Sequence, residues 1–157
     1  ISHLTMTSPN NAKKEDAGKD EQMKEKYAEF RMAMAQIKQL QEQLQAVDEK
    51  KQELEEAEAG VSQLKGAGKG TKMLAPVTNG IFIKTTLDNA DEVIVNVGSD
   101  VCVKKTVEEA GKILKEKRHE LISYQELMLE ELNKLTDNAN RLERELGQLV
   151  GESEEQG

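Results

Sequence analysis

Apolar residues along this chain form two stretches with helical spacing, separated by one with strand spacing. In the first, from Asp20 to about Lys65, they fall at Met23, Tyr27, Phe30, Met34, Ile37, Leu40, Leu44, Val47, Leu54 and Val61. Steps of three and four alternate, which is the heptad signature of a helix with a narrow apolar seam. Met34-Ile37-Leu40 takes two threes running, so a local rewinding of a coiled coil is expected there. Lys51 and Glu58 fall at seam positions and Gly60 follows, so weak packing is expected in that half. The second stretch runs from Thr106 to Val150 through Val107, Ala110, Leu114, Leu121, Tyr124, Met128, Leu132, Leu135, Ala139, Leu142, Leu146 and Leu149. It slips once, at Tyr124-Met128-Leu132. Such a seam is not stable alone in water and must lie against another helix. Two seams of similar length on one chain are therefore each other's nearest partners.

Between them, residues 73–105 read as four short strands: Met73–Val77, Ile81–Leu87, Glu92–Val97 and Val101–Lys105. Asn79-Gly80 and Gly98-Ser99 provide residues that tolerate positive φ, as hairpin turns require. Pro76 belongs at an edge or a strand end. Two hairpins of this size cannot stand alone. The run Val93-Ile94-Val95 with Val97 is apolar on both faces, which calls for cover on both. Apolar edges of that kind invite another chain. Thr106 with Glu109 three residues later forms a capping box that marks the entry to the second helix.

The expected organisation is a disordered tail at 1–19, a helix at 20–66, a glycine-rich linker at 67–72 and hairpins at 73–105. A helix at 106–150 and a frayed acidic tail at 151–157 complete it. The linker Gly66-Ala67-Gly68-Lys69-Gly70-Thr71 resembles a phosphate loop only superficially. Gln63 and Gly70 stand where that motif needs glycine and a hydroxyl residue, and the loop follows a helix where the motif follows a strand.

Composition supports long coiled coil over an ordinary globular core. Of the 157 residues, 36% are hydrophobic, 3% aromatic and 33% charged. The net charge is −8 with both signs interleaved, which argues against a nucleic-acid surface. Lys115, Lys117, Arg118 and His119 form one basic cluster, read as a solvated helix face. Cys102 is the single cysteine, so no intrachain disulfide can form, and its apolar surroundings suggest a buried thiol. No stretch approaches a membrane span and no signal peptide is evident. The expectation is a soluble, intracellular protein of the cytoplasm. His3 and His119 stand apart, and no nucleophile–base set, metal-ligand cluster or paired carboxylates can be assembled. Neither catalysis nor a cofactor or metal is expected.

Helices of about 45 residues are roughly 65–70 Å long. The chain would run down one, turn through the hairpins and return, leaving an antiparallel pair with a free tip. Met23, Tyr27, Phe30 and Met34 from the first helix would meet Leu142, Leu146, Leu149 and Val150 from the second there. Met32 lies off the seam. The flexible thioethers of Met23, Met32, Met34 and Met128 suit unspecific apolar contact.

Leu74-Ala75-Pro76-Val77-Thr78-Asn79-Gly80-Ile81-Phe82-Ile83-Lys84 resembles the first hairpin of prefoldin alpha-type subunits. Val93 to Lys105 resembles their second, and Thr106-Val107-Glu108-Glu109-Ala110 the start of their second helix. Beta-type subunits carry a single hairpin there. Asp100 and Val101 depart from the family pattern. The resemblance implies a mainly α fold, a long antiparallel two-helix coiled coil whose two β-hairpins oligomerise into a β-barrel platform. It implies an ATP-independent chaperone of two alpha-type and four beta-type subunits that holds unfolded polypeptides at its coiled-coil tips and passes them to a group II chaperonin. Leu74, Val77, Ile81, Phe82, Ile83, Val93, Ile94, Val95, Val97, Val101 and Val103 would then form the assembly interface. Met23, Tyr27, Phe30, Met34, Leu142, Leu146 and Leu149 would contact clients. A structural coiled-coil adaptor within a prefoldin-like complex is the alternative.

Overall fold

A computed structural model describes the backbone of residues 9–155 and the side chains of residues 13–152. The order is α1 (Pro9–Leu64), β1 (Lys72–Thr78), β2 (Ile81–Thr86), β3 (Glu92–Asn96), β4 (Cys102–Thr106) and α2 (Val107–Glu155). The chain divides into two compact units: Ile1–Leu44 with Glu126–Gly157, and Gln45–Gln125.

In the first unit, the early part of α1 lies antiparallel to the late part of α2. Ion pairs Lys26–Glu145 and Lys19–Glu152 tie the two together, at 2.5 and 3.8 Å. Ala33, Ile37 and Ala139 are buried, with Phe30, Leu132 and Leu135 packed against them. Met128 and Leu142 are buried as well. Burial along α1 recurs at Met23, Lys26, Phe30, Ala33, Ile37, Leu40 and Leu44, an unbroken alternation of three and four. The expected slip at Met34 is absent. Lys26 and Ala33 hold the seam where Tyr27 and Met34 were expected. A steady phase needs no local rewinding, and small Ala33 and Ala139 fit a tightly closed seam.

The helix also starts earlier than expected. Residues 9–19, read as disordered, are helical, with Pro9 in the first position, where a missing N–H costs nothing. This segment has no apolar seam to reveal it, but Ala12, Lys13, Lys14, Glu15 and Ala17 are good helix formers. Residues 1–8 of the expected tail lie outside the described residues. At the other end α2 continues to Glu155, through most of the stretch expected to fray.

In the second unit the seam is more polar. Val47, Leu54, Val107 and Ala110 are buried, while Lys51, Glu58, Arg118 and Gln125 are half-buried between them. Gln125 takes the position expected of Tyr124, so α2 does not slip there. Arg118, expected on a solvated face, stands 2.9 Å from Glu58 through Nε and Oε2. The contact lacks hydrogen-bond alignment, so it joins charges without satisfying Arg118 Nε.

The last turn of α1 tightens through i→i−3 bonds from the Lys65, Gly66 and Ala67 N–H groups. The glycine-rich segment then departs from the expected flexible linker. Gly70 donates to the Leu87 carbonyl at 2.8 Å and Leu87 donates to that of Thr71 at 2.9 Å, which lengthens the first hairpin. A φ of 91° at Gly70 makes this possible. β1 pairs with β2, and β3 with β4, as two separate antiparallel two-stranded sheets. The register sets Ala75 against Ile83 and Pro76 against Phe82, with an irregularity between Pro76 and Thr78. In the second hairpin Val95 faces Val103 and Asn96 faces Cys102. The capping box forms in both directions: Glu109 N–H donates to Thr106 Oγ1 at 3.1 Å, and Thr106 N–H to Glu109 Oε2 at 3.3 Å.

Candidate functional site

An apolar groove of about 570 Å³ lies in the first unit, lined by Met23, Lys24 and Tyr27 of α1 and Leu146, Gly147 and Val150 of α2. The seam phase explains it. Met23 and Leu146 are seam residues that the helix pair leaves half-covered. Tyr27 and Val150 flank the seam on one side and remain exposed, at 55% and 43%. Gly147 has no side chain to fill the space between. Arg31 stands over the Tyr27 ring, 5.9 Å from its centroid, a cation–π arrangement that fixes the ring's edge of the groove.

The groove gathers Met23, Tyr27 and Leu146 from the set expected to contact clients. Met34 is exposed one heptad from Tyr27 on the same flank. Leu149 is half-buried in the seam. Phe30 packs on the Ala33–Ile37–Ala139 core. Leu142, at 1% exposure, offers no surface in the folded arm. Met128 is likewise buried rather than available for contact, whereas Met32 is exposed. Lys24 and Gly147 were not anticipated; reading the seam through Lys26 and Ala33 would have placed both beside it. Lys26 bridges to Glu145, whose carboxyl is held below its ordinary range, first by that hydrogen bond and then by the charges of Lys26 and Arg141. This pair clamps α1 to α2 beside the groove.

The hairpins present a second surface. Each strand has one neighbour, so every strand keeps an open edge. Leu74, Pro76 and Phe82 share one face of the first hairpin, and Ala75 and Ile83 the other, so both faces are apolar. Leu74, Val77, Ile81, Phe82 and Ile83 are all exposed. On the second hairpin Val93, Val95 and Val103 are half-buried, while Ile94 on the opposite face is 71% exposed. Val97 and Val101 at its turn are exposed too. Cys102 is exposed, contrary to the buried thiol expected: the register puts it with Asn96 on the hairpin face that carries the exposed Ile94.

The described residues hold no group of three His, Cys, Asp or Glu placed to bind a metal. His119 is exposed on α2, and His3 lies outside the described residues. Among the described residues no helix is long and apolar enough to cross a membrane. The described residues thus comprise antiparallel helix segments with an apolar groove, and a pair of hairpins with exposed apolar faces. A match to the family described as prefoldin subunit spans residues 33–152, and the chain belongs to that family. Prefoldins are non-enzymatic chaperones.

The curated relatives identify the alpha type. Prefoldin subunit alpha of Thermofilum pendens is 25% identical over 123 residues, covering 78% of this chain and 95% of its own. The Methanococcus vannielii alpha subunit is 28% identical, covering 87% and 92%. Among solved structures, the cryo-EM structure of filamentous PFD from Methanocaldococcus jannaschii superposes with a TM-score of 0.67. Its identity is 24%, and 75% of this chain and 98% of that one are covered. That likeness supports the fold.

Proposed function

We propose that this chain is the alpha-type subunit of an ATP-independent holdase. It joins beta-type subunits, two alpha with four beta, through its hairpins, holds unfolded polypeptides in the groove beside Tyr27, and passes them to a group II chaperonin. The observation that carries the reading is the groove itself: apolar walls drawn from both helices, with an exposed tyrosine on one side. Lys24 reaches into it with a methylene stem, which adds apolar surface without a buried charge.

One such groove offers few anchors, so a single contact is weak. Several copies on one platform raise the effective concentration and hold a collapsed chain without nucleotide. Release then needs only competition from a receiver with more apolar surface. The hairpins supply the other half of the function, since their open edges and apolar faces need covering by further subunits.

Tyr27→Ser with Val150→Ser tests the groove. The doubly substituted chain should assemble as the parent does and lose most suppression of aggregation of an unrelated unfolded protein, read by light scattering. Undiminished protection would sink the assignment and favour a structural adaptor.

A further inference from the structure

The groove has a chemically distinct rim. Lys24, Arg31 and Lys38 recur at seven-residue intervals along α1, so they form one row beside the row of Tyr27 and Met34. Two contacts tie that row to the groove: Lys24 lines it, and Arg31 lies over Tyr27. All three are exposed, and among the described residues none forms an ion pair, unlike Lys19 and Lys26 nearby. The corresponding row of α2 is neutral, with Gly147, Asn140 and Asn133. Acids on this side are Asp20 of α1, with Glu21 three residues before Lys24 and Glu42 four after Lys38, and Asp137 and Glu143 of α2, which line a shallow depression with Asn140; Glu25 and Glu29 fall on the other flank of α1. A chain of net charge −8 thus sets three exposed cations in one row, of which Lys24 lines the apolar groove, Arg31 lies over its tyrosine and Lys38 continues the row beyond it.

We propose that the groove selects client segments in which apolar anchors are flanked by acidic residues, the anchors entering between Tyr27 and Leu146 and the carboxylates lying along Lys24, Arg31 and Lys38. This rests on the groove being the client site and adds to it the class of segment preferred. Seven helical residues span about 10 Å, which an extended client covers in about three residues. The favoured pattern therefore repeats an acid at about every third position beside a bulky apolar residue. The cations are exposed, so the preference is strongest at low salt and screened at high salt. They speed encounter more than they deepen the bound state.

The test uses the full chain and three fluorescent peptides identical in their apolar residues, with flanks of Glu, Gln or Lys, measured by anisotropy. The Glu peptide should bind about tenfold more tightly than the Gln peptide at low ionic strength, the Lys peptide more weakly than either, and 1 M salt should erase the order. Arg31→Gln with Lys38→Gln should cut the Glu peptide's advantage from about tenfold to about twofold, the share left to Lys24. Equal binding of Glu and Gln peptides by the parent, or a preference undiminished by the double substitution, overturns the inference while leaving the groove in place. Failure of all three peptides to bind, or binding untouched by Tyr27→Ser, overturns the groove reading and this inference with it.

Discussion

Ser99 and Asp100 take φ values of 51° and 61°, adjacent left-handed residues without the freedom of glycine. They are the central pair of a turn closed by Val101 N–H donating to the Gly98 carbonyl at 3.0 Å. Both positive values make it the mirror-image turn that suits the twist of a hairpin. Asn96 Oδ1 holds the approach by accepting from Gly98 N–H at 2.9 Å. Gly98-Ser99 signalled a turn in the sequence, but Asp100 sits at the position that favours glycine. Aspartate tolerates the left-handed region better than branched residues do. Asp100→Val should therefore lower stability by about 1–2 kcal/mol, and Asp100→Gly should match or exceed the parent, both read by thermal unfolding. A valine variant as stable as the parent would show that this turn stores no strain. Cys102 marks the opposite limit of residue-level reading: its apolar neighbours in sequence lie partly on the other face of the strand, so they do not bury it.

At the scale of the helix, seam phase is the decisive quantity, and hydrophobicity alone misplaced it. Tyr27 and Met34 are more apolar than Lys26 and Ala33, so a reading by residue type draws the seam through them and then needs a slip to reach Leu40. Geometry prefers continuity. Lys26 can lie in the seam because its ammonium reaches Glu145, and Ala33 fits because its neighbour across the seam, Ala139, is small too. The displaced Tyr27 and Met34 are the apolar surface on which the proposed function rests, so the error in the fold and the gap in the site have one cause. Where local chemistry dictates structure, the sequence was sufficient, as at the Thr106–Glu109 box and the Asn79-Gly80 turn. Phase also yields a test. Ala33→Gln should cost about 2–3 kcal/mol by burying an amide in a closed seam, while Met34→Gln should shift stability by no more than about 0.5 kcal/mol. Chemical denaturation distinguishes the two, and equal costs would return the seam to Met34.

For the molecule as a whole, the proposed function joins two surfaces that share no residues. The hairpins expose apolar side chains on both faces, Leu74 and Phe82 on one and Ile83 on the other, and every strand keeps a free edge. No packing among the described residues relieves that, which agrees with the assembly that membership of the prefoldin family implies. If holding clients depends on several grooves acting together, losing the assembly should remove protection even though each groove is intact. Linked weak sites gain about 10²–10⁴ in overall affinity over single ones. Phe82→Lys with Ile94→Lys puts charge on one apolar face of each hairpin without altering any residue of the helices. Co-expressed with a beta-type subunit, the parent should give a hexamer by native mass measurement and the variant only smaller species, with helical circular dichroism unchanged. The unassembled variant should bind a short apolar peptide as the parent does and fail to suppress aggregation of a whole unfolded protein. A variant that still forms the hexamer removes these faces from the interface. One that stays unassembled yet protects fully shows that a single groove suffices, and multivalent capture would have to be abandoned.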